Sequence, residues 1–270
     1  MTDREFKELS KRLSAEEWAT LLANPLPQLP SESIQIGTAG KAGLQTMREA
    51  SDFFDLVRTK YRSDLSEARV VDFGCGWGRI ARTFLKEVPA ENIMGVDPRA
   101  ESIALARQLA PILRFEVIGN APPLPVDAGS VDIIVGYSVF SHLPEDLARS
   151  WIDEFARALA PTGLVAVTTR PRAHIEQAAK SSEQQNLSAI GRLYAAMFKD
   201  FDQALADYDR GDFVYAPTGG GKGLDGSVYG EAIIPAEYVK RRWTLHFEFV
   251  EFVERWSAFG YQPIIVLRRR

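Results

Sequence analysis

Asp72 and the glycines after it, Gly74, Gly76 and Gly78, are the residues of this chain best suited by type and spacing to hold a ligand. They lie in the decapeptide V-V-D-F-G-C-G-W-G-R, residues 70–79, an apolar run with one carboxylate that breaks into alternating glycines. Ile80, Ala81, Phe84 and Leu85 follow at helical spacing, so the segment reads as strand, tight turn, helix. Glycine admits positive φ and places no Cβ in the path of a ligand. A helix start aims free N–H groups and the positive end of its dipole at whatever lies there. Such a turn suits a nucleotide-like ligand.

The glycine spacing narrows the choice. Dinucleotide folds use G-x-G-x-x-G, and here Arg79 stands where the third glycine would be. A phosphate loop, G-x-x-x-x-G-K-[ST], is absent. The ligand implied bears adenosine but no phosphate. At these residues the chain resembles the class I S-adenosylmethionine (SAM)-dependent methyltransferases, whose first motif carries this acid and G-x-G-x-G. The resemblance implies that Asp72, Gly74, Cys75, Gly76, Gly78 and Arg79 line a SAM site. An ordinary βα turn of another doubly wound protein is the alternative.

Asp97 closes a short apolar run, Asn92 to Val96, 25 positions after Asp72, the return distance of a βαβ unit. With Pro98 after it, Asp97 is placed to accept hydrogen bonds from both ribose hydroxyls, or to cap the helix expected over 99–109. A third strand, Ile112 to Ile118, ends at Gly119-Asn120-Ala121. The resembling family often has Asp in the middle of this triplet, near the adenine amine. The amide oxygen of Asn120 can accept the same bond, and a plain turn residue is the alternative. The fourth strand, Val131 to Gly136, runs into Tyr137-Ser138-Val139-Phe140-Ser141-His142-Leu143-Pro144. Ligands of open α/β sheets sit beyond the carboxyl ends of strands, so a methyl acceptor is expected here, with Tyr137 on the cofactor side.

Methyl transfer from a sulfonium is an in-line displacement that needs alignment and exclusion of water. A hydroxyl acceptor also needs a base. His142 is the first candidate, with a helix-capping role as its alternative, and His174 beyond the fifth strand is the second. His246 sits in an apolar run and reads as structural. Ser138, Ser141, Arg170, Tyr215, Lys222, Tyr229 and Glu231 are candidate acceptor contacts, the aromatics suiting a sugar ring and a flat natural product equally. No metal-ligand spacing is present.

These residues need a scaffold, and the pattern supplies one: a Rossmann-like, doubly wound α/β sheet of seven strands, mostly parallel with the last strand antiparallel. The helix over 145–159 and the strand over 164–169 complete the core alternation. Four segments are expected: N-terminal helices (4–13 and 14–22) and a proline-rich linker over 1–43, a SAM-binding core over 44–170, a lid inserted between strands five and six over 171–243, and a final β pair over 244–270. A helix over 44–62 precedes the core. Lys41, in the glycine loop before it, joins Arg79 as a candidate for the methionine carboxylate, or either is a solvated charge. Within the lid, helices are expected over 173–180, 187–208 and 235–243 and strands over 213–215 and 227–234, around a glycine run at 219–223.

Composition bounds the reading. Apolar residues are 46% of 270, enough for a sizeable core, and the net charge of −4 argues against a nucleic-acid partner. The single cysteine excludes an intrachain disulfide and a cysteine-rich zinc site and fits a reducing, cytoplasmic setting. No run nears the roughly 18 apolar residues of a membrane span, and the N-terminus is not patterned as a secretory signal.

The stretches D-F-G-C-G-W-G-R, Y-S-V-F-S-H-L, Y-G-E with P-A-E-Y-V, and the terminal V-L-R-R resemble bacterial methyltransferases of glycan and polysaccharide assembly. That resemblance implies a glycan or small hydroxylated acceptor. The chain departs from the pattern at Thr169-Arg170-Pro171-Arg172-Ala173-His174. N- or C-methyl transfer to a small natural product, an NAD-dependent oxidoreductase and a SAM-binding protein without transfer remain the competing readings.

Overall fold

A computed structural model describes residues 29–184, 186–220, 224–255 and 260–270. The helices expected over 4–13 and 14–22, Lys222 with part of its glycine run, and residues 256–259 lie outside the described residues. The strands form a seven-stranded sheet in the order 114–117, 93–97, 70–73, 131–136, 159–168, 264–269 and 247–253, with a separate two-stranded sheet of 214–216 and 231–233. The expected Rossmann-like fold is therefore present. No helix is long and apolar enough to cross a membrane among the described residues.

The chain divides into two compact units. The first holds α1 (Glu32–Ala39), α2 (Gly43–Lys60), β1 (Val70–Phe73), β2 (Ile93–Asp97), α3 (Ala100–Leu109) and β3 (Arg114–Val117). Its strands pair in parallel, Val70 opposite Ile93 and Met94 opposite Arg114. Helix α2 buries Met47, Ala50, Phe53, Phe54 and Val57, a three-and-four spacing that makes one apolar face. Phe54 meets Phe84 edge to face, ring centroids 5.1 Å apart. Each such buried side chain is worth roughly 1.5–3 kcal/mol of transfer free energy. The helix expected after the glycine turn is a 3-10 helix, Ala81–Lys86. Its tighter winding begins where the Asp72 carboxylate takes the Ala81 N–H, at 2.8 Å.

The second unit, Gly119–Arg255 with Tyr261–Arg270, holds β4 (Val131–Gly136), α4 (Glu145–Ala158), β5 (Leu159–Thr168), α5 (Ala173–Ser182), α6 (Ala189–Ala195), α7 (Phe201–Asp209), β6 (Val214–Ala216), β7 (Glu231–Ile233), α8 (Ala236–Arg242), β8 (Phe247–Val253) and β9 (Ile264–Arg269). β9 runs antiparallel to both neighbours, with Leu164 opposite Arg268 and Phe249 opposite Leu267. Trp151, Ile152 and Phe155 form the buried face of α4.

Three local expectations change. The Pro161-Thr162-Gly163 turn is absorbed into β5 as an irregularity: Val131 pairs with Leu159 and Ile133 with Leu164, while Thr162 takes φ +66°. The helix expected over 187–208 is two helices, because Asp200 caps a new start by accepting the Gln203 N–H at 2.9 Å. The strand expected over 227–234 is Glu231–Ile233 alone. Asp225 captures the N–H and hydroxyl of Ser227, and its carbonyl takes the N–H groups of Val228 and Tyr229, folding that stretch into a turn.

Candidate functional site

The glycine turn of the first unit is built from its own backbone. The N–H groups of Gly74 and Cys75 both donate to the Val96 carbonyl, at 2.8 and 3.0 Å, which anchors the turn on β2. Gly74, Gly76 and Gly78 all have positive φ. At Gly78 a Cβ would stand 2.8 Å from the Phe115 ring, so this glycine serves the close packing that the third glycine serves in dinucleotide folds. Burial pushes the Cys75 thiol well above its ordinary range, so it is a poor nucleophile.

Asp97 ends β2 at the turn. Its carboxylate accepts the N–H of Arg99 at 2.9 Å and of Gly76 at 3.0 Å, and burial raises its pKa against those two bonds. It thus turns the chain ahead of α3, whose N-cap is Arg99 and not Asp97, and also fastens the glycine turn. Pro98 beside it is exposed. Asp72 lies one strand away in the sheet and is fully buried. Burial lifts its carboxyl to about 7, opposed by the Ala81 N–H and by the charge of Arg79. These residues fit an adenosine ligand: a Cβ built on Gly76 meets nothing within 4 Å, and the Asp97 carboxylate, acceptor-only when ionised, stands beside that open space.

Arg79 and Lys41 converge on a residue that sequence reasoning missed. Glu49 of α2, buried, accepts Lys41 Nζ on one oxygen at 2.9 Å and Arg79 Nη1 on the other at 3.0 Å. Its signal in the sequence was faint, a lone carboxylate at the edge of the apolar face of α2.

In the second unit, Asn120 and Ala121 are exposed, and the Asn120 carbonyl accepts the Trp151 indole N–H at 3.1 Å. Tyr137 is buried at the end of β4. Ser138 takes φ +60°, a left-handed conformation uncommon outside glycine. Its N–H donates to Thr168 Oγ1 at 2.7 Å, and its hydroxyl accepts Gln262 Nε2 at 2.9 Å, so Thr168 and Gln262 set the strained corner.

Six residues of the second unit gather around one carboxylate. Glu231 accepts Arg170 Nε at 2.5 Å on one oxygen and Arg170 Nη2 at 3.2 Å on the other, a two-pronged pair. His174 Nε2 is 3.3 Å from one oxygen and His142 Nδ1 3.7 Å from the other. Burial opposes the charge on Glu231, but His174, Arg170 and His142 outweigh it and hold its pKa at about 2. Tyr229 stacks on His142 at 4.4 Å, and Tyr261 takes an N–H of Arg170. Tyr194 packs edge-on to His174. Ser141 is fully buried; its carbonyl takes the Ala232 N–H, and its hydroxyl has no hydrogen-bond partner among the described residues. Tyr215 bonds the Gly226 carbonyl, and burial with nearby Asp225 and Glu231 pushes its phenol up to about 12.

His142 does not cap α4, whose N-cap is Pro144 without a side-chain bond. Its Nδ1 is 2.7 Å from the Gly230 carbonyl, and a carbonyl only accepts, so the proton is on Nδ1 and the lone pair on Nε2. Arg170 Nη2 approaches that lone pair at 3.5 Å. Burial first, then the Arg170 charge, lower His142 to about 4. The ring is neutral at pH 7. His246 stands apart from this cluster and offers its carbonyl to Arg269 and Arg270, as a structural residue would. His/Cys/Asp/Glu groupings able to hold a metal are absent among the described residues.

Residues 70–163 match the methyltransferase domain family. A trans-aconitate 2-methyltransferase of Variovorax paradoxus is 32% identical over 100 residues, 37% of this chain and 38% of that protein. The chain thus matches well under half the length of this curated relative. Among solved structures, a SAM-dependent methyltransferase from Mesorhizobium loti aligns with TM-score 0.57 at 15% identity, covering 83% of this chain and all of that one. A SAM-bound amino pentose methyltransferase from Micromonospora echinaspora aligns with TM-score 0.53 at 18% identity, covering 91% of this chain and 98% of that one. The fold is that of the SAM-dependent methyltransferases, and the segment over 70–163 matches a methyltransferase domain family.

Proposed function

We propose that this chain, with its methyltransferase domain over 70–163, transfers a methyl group from SAM to an acceptor oxygen, a hydroxyl of a glycan or small hydroxylated metabolite. The observation that carries the cofactor reading is Asp97, a buried carboxylate fastened to the glycine turn by the Gly76 N–H. When bound, SAM supplies an electrophilic methyl on a good leaving group.

The chain's own residues then have separable tasks. Asp97 accepts the ribose hydroxyls, and Asn120 with Ala121 meets the adenine edge. The glycines Gly74, Gly76 and Gly78, with Asp72, Cys75, Pro98 and Tyr137, shape the cofactor's surroundings. Arg79 and Lys41 take the methionine carboxylate. Nε2 of His142 receives the proton of the acceptor hydroxyl, and His174 is the second candidate for that task. Ser138, Ser141, Arg170, Tyr215, Lys222, Tyr229 and Glu231 contact the acceptor, most of them from the insertion over 171–243. The single buried thiol suits a reducing compartment such as the cytoplasm.

A second reading, methylation of a carboxylate, is favoured by one observation. Both nitrogens of His142 are engaged, Nδ1 by Gly230 and Nε2 by Arg170. An ionised carboxylate needs no base, and Arg170 is the natural partner for one. The trans-aconitate relatives are consistent with this reading.

Transfer of a tritiated methyl from SAM to a panel of nucleotide sugars, oligosaccharides, phenolic metabolites and polycarboxylic acids separates the readings. Asp97→Ala should weaken S-adenosylhomocysteine binding at least tenfold by calorimetry, a loss of about 1.4 kcal/mol or more. Unchanged affinity removes the ribose assignment.

A further inference from the structure

Glu49 sits inside an 18-residue helix, is 1% exposed, and contributes nothing to the apolar face of Phe53, Phe54 and Val57 beside it. A buried carboxylate is costly unless it is paired, and it is often less stabilising than an apolar residue of similar size. Its geometry is also unusual in what it joins. Lys41 comes from the loop before α2 and Arg79 from the residue after Gly78, and each occupies a different oxygen of Glu49.

The same stretch is tied down elsewhere. Arg79 Nη1 also donates to the Thr46 carbonyl at 3.2 Å, and the Thr46 hydroxyl donates to the Lys41 carbonyl at 2.5 Å. Trp77 Nε1 donates to Thr38 Oγ1 at 3.0 Å, so both neighbours of Gly78 are fastened to the segment over 38–49. Gln35 spans the entry to α2, donating to the Pro30 carbonyl at 2.7 Å and accepting the Gly43 N–H at 2.8 Å.

We propose that Glu49 is a positioning residue for the amino-acid end of the cofactor: by gripping Lys41 and Arg79 on its two oxygens, it holds both cations at the glycine turn in the arrangement that receives the ligand's carboxylate. The inference rests on the SAM reading of that turn. Free lysine and arginine side chains lose rotamer freedom when they are ordered. Glu49, rigid in its helix, orders both before the ligand arrives, which leaves less ordering to be done on binding.

Two ligands isolate this role. S-adenosylhomocysteine carries the amino-acid carboxylate, and 5′-methylthioadenosine keeps the adenosine and thioether but lacks it. Calorimetry on the full chain with Glu49→Gln should show S-adenosylhomocysteine weakened about tenfold, or about 1.4 kcal/mol, with methylthioadenosine within about twofold of wild type. Glu49→Asp, which keeps the charge, should recover part of the loss. Lys41→Met, at a partly exposed position, should give the same selective loss. Parallel weakening of both ligands would make Glu49 merely structural, and unchanged or tighter S-adenosylhomocysteine binding would equally overturn the proposal. A wild-type protein that binds neither ligand would instead remove the SAM reading itself.

Discussion

His142 gives its Nδ1 proton to the Gly230 carbonyl, 2.7 Å away, and that bond decides which nitrogen of the ring keeps its lone pair. The partner carbonyl belongs to the Y-G-E tripeptide, 88 positions along the chain. The return bond runs from the Gly230 N–H to the His142 carbonyl at 2.8 Å, so the two residues hold each other at both main chain and side chain.

If Nε2 of His142 is the base for a hydroxyl acceptor, the acid limb of kcat/KM should fall near pH 4, where His142 titrates in the folded chain, and not near 6.5. His142→Ala should then lower turnover by about 10²-fold or more while SAM affinity is kept. Turnover at the wild-type level in this variant would favour the carboxylate reading.

The same histidine makes folding sensitive to acid. Its folded pKa of about 4 lies below the ordinary 6.5, so on acidification the unfolded chain takes up a proton that the folded chain refuses. Stability present above pH 6.5 is lost as pH falls toward 4, by up to about 1.4 kcal/mol per pH unit for one proton. Glu231, depressed to about 2 from 4.5, adds a loss over the window below 4.5. Urea unfolding between pH 7.5 and 4.5 should give a shallower dependence for His142→Gln than for wild type. Superimposable slopes would show that the ring titrates normally.

Asp72 has the opposite sign. Its carboxyl is raised from 3.8 to about 7, so its contribution is lost as pH rises through that interval, when the folded chain must ionise a buried group. Asp72→Asn can still accept the Ala81 N–H and carries no charge. The variant should gain stability over wild type on going from pH 5 to pH 8. Thermal unfolding at the two pH values checks this, and an advantage that does not grow with pH would contradict it.

Gly230 admits no side chain. A Cβ there would lie 2.2 Å from the Ala216 carbonyl oxygen and 2.7 Å from the Tyr215 ring. Gly230→Ala should therefore push β7 off β6 and cost on the order of 2 kcal/mol or more in chemical denaturation. A change under about 0.5 kcal/mol would mean the hairpin can shift without loss.

Several features were legible in the chain because they are local. The apolar run and alternating glycines over 70–78 specify a strand and a positive-φ turn whatever surrounds them, and the structure has both. The βαβ spacing placed Asp97 at the end of β2, and the double-sided apolar run over 131–136 marked β4 at its observed bounds. Periods of two and 3.6 residues are carried by neighbouring residues, so sequence alone resolves them.

Tertiary structure decided the rest, because it brings together residues that no local pattern links. Residues 142, 170, 174, 194, 229 and 261 meet around the Glu231 carboxylate only after β5, β7, α5 and α6 have packed within the second unit. Glu49 reads as one more helix-edge acid until the glycine turn delivers Arg79 to it. The break of the helix over 187–208 likewise turned on Asp200, which can sit in a helix or cap one. Charge pairing, tautomer and pKa depend on which groups share a low-dielectric interior, and that is a property of the folded neighbourhood.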